Sequence, residues 1–126
     1  MTIRMTLVIA AAALAATGAS PAAAAGDPAK GKATFAQCAA CHKVDATGRS
    51  GIGPNLWAVV GRKSGTLPGY SFSPAMKTAG RVWTDAALDS YLAAPMKAMP
   101  GTKMPYAGLK APADRANLIA YLRTLK

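Results

Sequence analysis

The sequence predicts a small, single-domain, all-α protein, and three observations carry that expectation. Several segments open on a helix-capping side chain followed at once by proline or aspartate: Asp27-Pro28, Ser73-Pro74 and Thr84-Asp85. Apolar residues recur at helical spacing in the second half, as Leu88, Tyr91 and Leu92 and again as Leu118, Tyr121, Leu122 and Leu125, and no segment alternates with the period of a strand. The aromatic side chains are few: Phe35, Phe72, two tryptophans and four tyrosines. A domain of this size is marginal on side-chain burial alone, so something other than side chains is expected to fill its middle.

Taken in order, the chain opens "MTIRMTLVIAAAALAATGASPAAAAG". Positive charge at Arg4, an apolar run from Met5 to about Ala16, and a small-residue tail make the layout of a secretory signal peptide, too short to span a bilayer comfortably. Residues 1–25 are read as that leader, with cleavage after Ala24 or Ala25, and residues 26–126 as the mature, exported domain. Asp27 and Pro28 then start a helix expected to run to Ala39. Gly31 inside it costs about 1 kcal/mol relative to alanine, which points to another helix crossing close by. From Lys43 to Gly69 the chain is glycine-rich and is read as loop, with one helical turn near Asn55 to Val59. Ser73 caps a short helix stopped by Gly80. Thr84 caps another, ended by Pro95. "PMKAMPGTKMPYAG" is a loop broken by proline and glycine, and a last helix runs from Pro112 towards the end.

The formal net charge is +10. An excess of this size favours association with acidic surfaces. No Arg-rich helix or aromatic-basic stripe points to nucleic acid, and an exported protein rarely meets it, so an acidic protein is the partner the charge suggests.

Both cysteines and the only histidine fall in "CAACH", Cys38 to His42. Three chemistries use such a group. A thioredoxin-like redox pair or disulfide is compatible with export, but the redox fold needs a βαβ context that this chain lacks. Structural zinc needs four ligands, and no further Cys or His exists. Covalent haem attachment needs two sulfurs on one face of a helical turn and an adjacent imidazole for the iron. C-x-x-C-H is its signature. Export and the thin core agree with haem.

With these residues in view, the chain resembles the class I c-type cytochromes, specifically the short bacterial cytochrome c2 and mitochondrial-like branch. The likeness spans the mature chain through "GDPAKGKATF", "CAACH", "GPNLWAVVGRKSG", "PGYSFS", Trp83, "LDSYLAAP", "PGTKMPYAG" and "NLIAYL". It implies a cytochrome c fold with crossing terminal helices, at Gly31, Phe35, Leu118 and Tyr121, around one haem c attached through Cys38 and Cys41. It implies an electron carrier without catalytic residues. The rival reading is a haem peroxidase or gas sensor in which the methionine ligand dissociates.

Met76, Met96, Met99 and Met104 are the sulfurs of the mature chain, and spacing does not choose among them. The resemblance does: "PGTKM" matches the family's ligand loop, making His42 and Met104 the implied iron ligands. A thioether ligand raises the potential. The resemblance further implies that the Pro54 carbonyl fixes the His42 ring, that the Tyr91 hydroxyl bonds the Met104 sulfur, and that Trp83 and Arg62 face a buried propionate, with Tyr70 and Thr102 as further propionate candidates. Phe72, Met76 and Tyr106 depart from the residues usual at their positions. Lys43, Lys97, Lys103 and Lys110 fall in segments expected to border the haem, where they would dock an acidic redox partner such as a cytochrome bc1-type complex, an oxidase, a reaction centre or a dehydrogenase. The location implied is the periplasm.

Overall fold

The computed structural model describes residues 26–126, so the leader expected over residues 1–25 lies outside the described residues. Five helices follow one another: α1 (Pro28–Phe35), α2 (Pro74–Thr78), α3 (Asp85–Ala93), α4 (Pro95–Ala98) and α5 (Pro112–Arg123). Among the described residues the only β pairing is one isolated antiparallel bridge between Lys63 and Val82, so the fold is all-α.

The caps are those the sequence predicts. The Asp27 carboxylate accepts from the amides of Ala29 and Lys30, Ser73 Oγ from Met76, and Thr84 Oγ1 from Ala87. Each supplies an acceptor to amides that a helix start otherwise leaves bare. Two boundaries differ from expectation. Helix α1 stops at Phe35 rather than Ala39, and the chain continues through hydrogen-bonded turns to Cys41. Pro95 does not simply end α3; it opens α4, because proline at a first helical position loses no hydrogen bond. A third difference lies at Asn55 to Val59. It holds a turn at Trp57-Ala58 instead of a helical turn, with Ala58 at φ +56°.

Helices α1 and α5 cross at backbone distance. A Cβ built on Gly31 would lie 1.9 Å from the Asn117 carbonyl oxygen, so only glycine permits the approach. Phe35 and Tyr121 close the crossing, ring centroids 5.4 Å apart. The Asn117 side chain also accepts from the Asp27 amide at 2.8 Å, tying the start of α1 to α5. The core continues from Leu118, Ile119 and Leu122 of α5 to Leu88, Tyr91 and Leu92 of α3 and then to Trp83 and Val59. It forms a shell around a cavity rather than a filled centre.

Candidate functional site: an apolar cavity between histidine and methionine

That cavity holds about 330 Å³, within the range of small-molecule and cofactor sites. All ten side chains singled out by the resemblance line it: Cys38, Cys41, His42, Pro54, Arg62, Tyr70, Trp83, Tyr91, Thr102 and Met104.

Past α1, the turn is held by the Cys38 carbonyl, which accepts from the Cys41 amide at 3.1 Å and from the His42 amide at 3.0 Å. Both sulfurs and the imidazole therefore reach the same cavity. The sulfurs are not joined to each other. Burial, with a smaller contribution from Cys41, pushes the Cys38 thiol pKa up. A reactive redox cysteine is favoured by the opposite shift, and the all-α fold lacks the βαβ context of a thioredoxin-like site. Among the described residues there is no group of three or more His, Cys, Asp or Glu side chains able to hold a metal ion.

His42 Nδ1 lies 2.7 Å from the Pro54 carbonyl. As donor to that oxygen, the ring keeps its proton on Nδ1 and a lone pair on Nε2. Burial lowers the imidazole pKa, the Pro54 bond partly offsetting it, which favours the neutral ring. Gly53 lies against the ring: a Cβ there would stand 2.7 Å from His42 Cε1. The sequence reading missed what holds this wall. Asn55, 1 % exposed, donates from its amide to the carbonyls of Asp45 and Arg49 at 3.0 and 3.1 Å and accepts from the Trp57 amide at 2.8 Å. It fixes the loop from which the neighbouring Pro54 carbonyl projects. The available signal was an asparagine directly after Gly-Pro in a glycine-rich stretch, a turn former whose partners are distant backbone groups.

Met104 and Met76 also line the cavity, whereas Met99 is buried in the core and Met96 is 53 % exposed outside it. Geometry thus reduces four sulfurs to two. The Tyr91 hydroxyl is 2.7 Å from Thr102 Oγ1. The threonine hydroxyl, two residues before Met104 on the same segment, is the partner the phenol meets here. Thr102 Oγ1 also accepts from the Met104 amide at 3.4 Å. Burial raises the Tyr91 pKa, opposed by the Thr102 bond, so the phenol stays protonated.

The polar end of the cavity is cationic. Arg62, half-buried, donates to the carbonyls of Trp57 and Asn55 at 3.2 and 3.0 Å. Among the described residues the ion pairs are Arg115–Asp89 and Arg123–Asp85, so no carboxylate balances Arg62. Burial alone pulls its pKa down. A buried charge requires pairing, and among the described residues no carboxylate supplies it. Trp83 is buried on the same lining. The Tyr70 hydroxyl donates to the Ile52 carbonyl at 3.1 Å. Of Lys43, Lys97, Lys103 and Lys110, all exposed, only Lys103 reaches the cavity wall, where Lys63 joins it.

The family model for cytochrome c matches residues 28–126. The chain belongs to the cytochrome c family. It is 52 % identical over 101 residues to cytochrome c2 of Rhodomicrobium vannielii, covering 80 % of this chain and 81 % of that protein. It is 45 % identical over 102 residues to cytochrome c2 of Rhodoblastus acidophilus, covering 81 % and 95 %. Among solved structures it is similar to cytochrome cH from Methylobacterium extorquens, with TM-score 0.75 and 45 % identity over 79 % of this chain and 99 % of that one. The family carries one covalently bound haem c, and Cys38 and Cys41 are the two cysteines present to hold it. The cavity fits that group: both thiols and an imidazole with a free Nε2 stand on one wall, and an unbalanced arginine stands where carboxylates would lie. The protein is accordingly a single-haem electron carrier that works with redox partners, and not an enzyme.

Proposed function

We propose that this cytochrome holds its haem iron between His42 and Met104, leaves neither position open to substrate, and passes one electron at a time to acidic protein partners in the periplasm. The observation that carries this reading is that one cavity is lined by both His42, oriented by the Pro54 carbonyl, and Met104. The haem supplies a one-electron ferric/ferrous couple. Everything else falls to the chain. His42 offers Nε2 with its ring held in place. Met104 offers a soft sulfur, which favours the reduced state. Arg62 and the Trp83 N–H receive the propionates and offset their charge. Apolar residues keep water away, so that charge changes by one unit with little rearrangement nearby. With His42 and Met104 both available to hold the iron, no position would be left open for the peroxidase or gas-sensor reading.

Lys43, Lys97, Lys103 and Lys110 are assigned to docking. Their exposure and the net charge of +10 support it, since basic rims steer acidic partners and chiefly raise association rates. A cytochrome bc1-type complex, an oxidase, a reaction centre or a dehydrogenase fits the role. Export rests on residues 1–25, which have the layout of a signal peptide. The family match beginning at residue 28 and the Asp27–Asn117 hydrogen bond support a mature domain of residues 26–126.

The test is the ferric spectrum with a peroxide challenge. A weak long-wavelength sulfur-to-iron band and no turnover of hydrogen peroxide are expected. A high-spin ferric spectrum with rapid peroxide turnover would instead establish the enzyme reading.

A further inference from the structure

The segment from Thr102 to Lys110 carries Met104 and has no regular structure. It reaches the rest of the molecule through a handful of bonds. Thr102 meets Tyr91, Lys103 Nζ donates to the Ser71 carbonyl at 2.9 Å, and the Leu109 amide donates to Leu92 at 2.8 Å. One further bond crosses the cavity mouth. The Tyr106 hydroxyl donates to Gln37 Oε1 at 2.9 Å, across 69 residues of sequence. Gln37 immediately precedes Cys38, and both Gln37 and Tyr106 line the cavity. Among the described residues this is the only hydrogen bond between the segment carrying Met104 and the segment carrying Cys38, Cys41 and His42.

We propose that Tyr106 and Gln37 form a latch across the cavity mouth that holds the Met104 segment closed and so limits how fast an outside ligand reaches the position Met104 occupies. This rests on Met104 being the iron ligand. The latch is chemically specific: a phenylalanine would fill the same space as Tyr106 without reaching Gln37. Its position matters more than its strength. Met104 lies between the Thr102 and Lys103 bonds on one side and the latch, two residues on, on the other. With the latch gone, the next bond to the rest of the molecule beyond Met104 is that of the Leu109 amide. Tyr106 and Gln37 are positioning residues, acting on the ligand through the segment that bears it.

The test is stopped-flow binding of imidazole to the ferric holoprotein, at imidazole concentrations where opening of the segment limits the rate. Tyr106→Phe and Gln37→Leu should each raise the limiting rate about five-fold, the equivalent of about 1 kcal/mol. The double variant should be no faster than either single one, because both remove the same bond. The resting long-wavelength band should persist in all three, which separates faster opening from loss of the ligand. Unchanged rates in Tyr106→Phe, or singles that add in the double variant, would overturn the latch while leaving the ligand assignment intact. A band that survives Met104→Ala would overturn the ligand assignment and the latch with it.

Discussion

On the histidine side of the cavity, one buried side chain, Asn55, ties together the backbone at Asp45, Arg49 and Trp57, and the adjacent Pro54 carbonyl holds the His42 ring. On the methionine side, Thr102 to Lys110 is held at separate points: a threonine hydroxyl on Tyr91, a lysine amine on Ser71, a tyrosine hydroxyl on Gln37, and at its far end the Leu109 amide on Leu92 and Arg115 on the Leu109 and Lys110 carbonyls. The first wall is a cooperative knot whose loss exposes several backbone groups together. The second is a strap whose tethers fail one at a time. Disturbing the first wall should therefore cost stability, and disturbing the second should change access to the ligand with little cost to the fold.

Attachment has the largest consequence. Replacing both Cys38 and Cys41 with alanine removes the anchoring sulfurs and should abolish covalent haem, leaving a cavity whose apolar shell has nothing to enclose. Acid-acetone extraction checks this: the wild-type protein should retain its haem and the double variant should release or never acquire it. Haem extracted from the wild-type protein would contradict covalent attachment.

Asn55→Ala should come next. It empties a buried site and takes the partner from the Asp45 and Arg49 carbonyls and the Trp57 amide together, and the expected loss is about 2 to 4 kcal/mol in a denaturant titration of the ferric holoprotein. Thr102→Val sharpens the contrast. It removes one tether of the strap and should cost only about 1 kcal/mol, while raising the affinity for imidazole. If the two variants lost equal stability, the distinction between knot and strap would fail.

Charge reversal at the docking lysines should have the smallest effect on the protein itself and appear only in encounters. Lys97, Lys103 and Lys110 belong to the methionine side and Lys43 to the histidine side. Reversal at Lys97 or Lys103 should slow electron transfer to an acidic partner a few-fold at low salt. The effect should fade as screening shortens to about 8 Å at physiological ionic strength. Reversal at Lys126 on the exposed C-terminus should do less, and equal effects at all three would mean that net charge alone acts.

Much of this contrast was legible in the sequence, for physical reasons that differ by region. Helix starts are local events, so Asp27, Ser73 and Thr84 announced themselves. Gly31 announced the helix crossing because only a close neighbour justifies a glycine there. "CAACH" gathers its chemistry within one turn. The knot was not legible. Asn55 bonds to the backbone at Asp45 and Arg49, and backbone carbonyls look alike in any sequence. The early end of α1 at Phe35 also escaped notice, because the turns after it keep helix-like residues while the cysteines are drawn towards the cavity. The Tyr91–Thr102 bond was not legible either, because only the folded path of an irregular segment brings that hydroxyl to the phenol.

The central claim, that Met104 is the sulfur on the second wall, is tested most directly by the long-wavelength ferric band in four single variants, Met76→Ala, Met96→Ala, Met99→Ala and Met104→Ala. The account predicts that Met104→Ala alone abolishes the band and lowers the reduction potential while the haem stays bound. Met76, the other sulfur on the cavity wall, should leave the band in place. A band lost in Met76→Ala and retained in Met104→Ala would contradict the account.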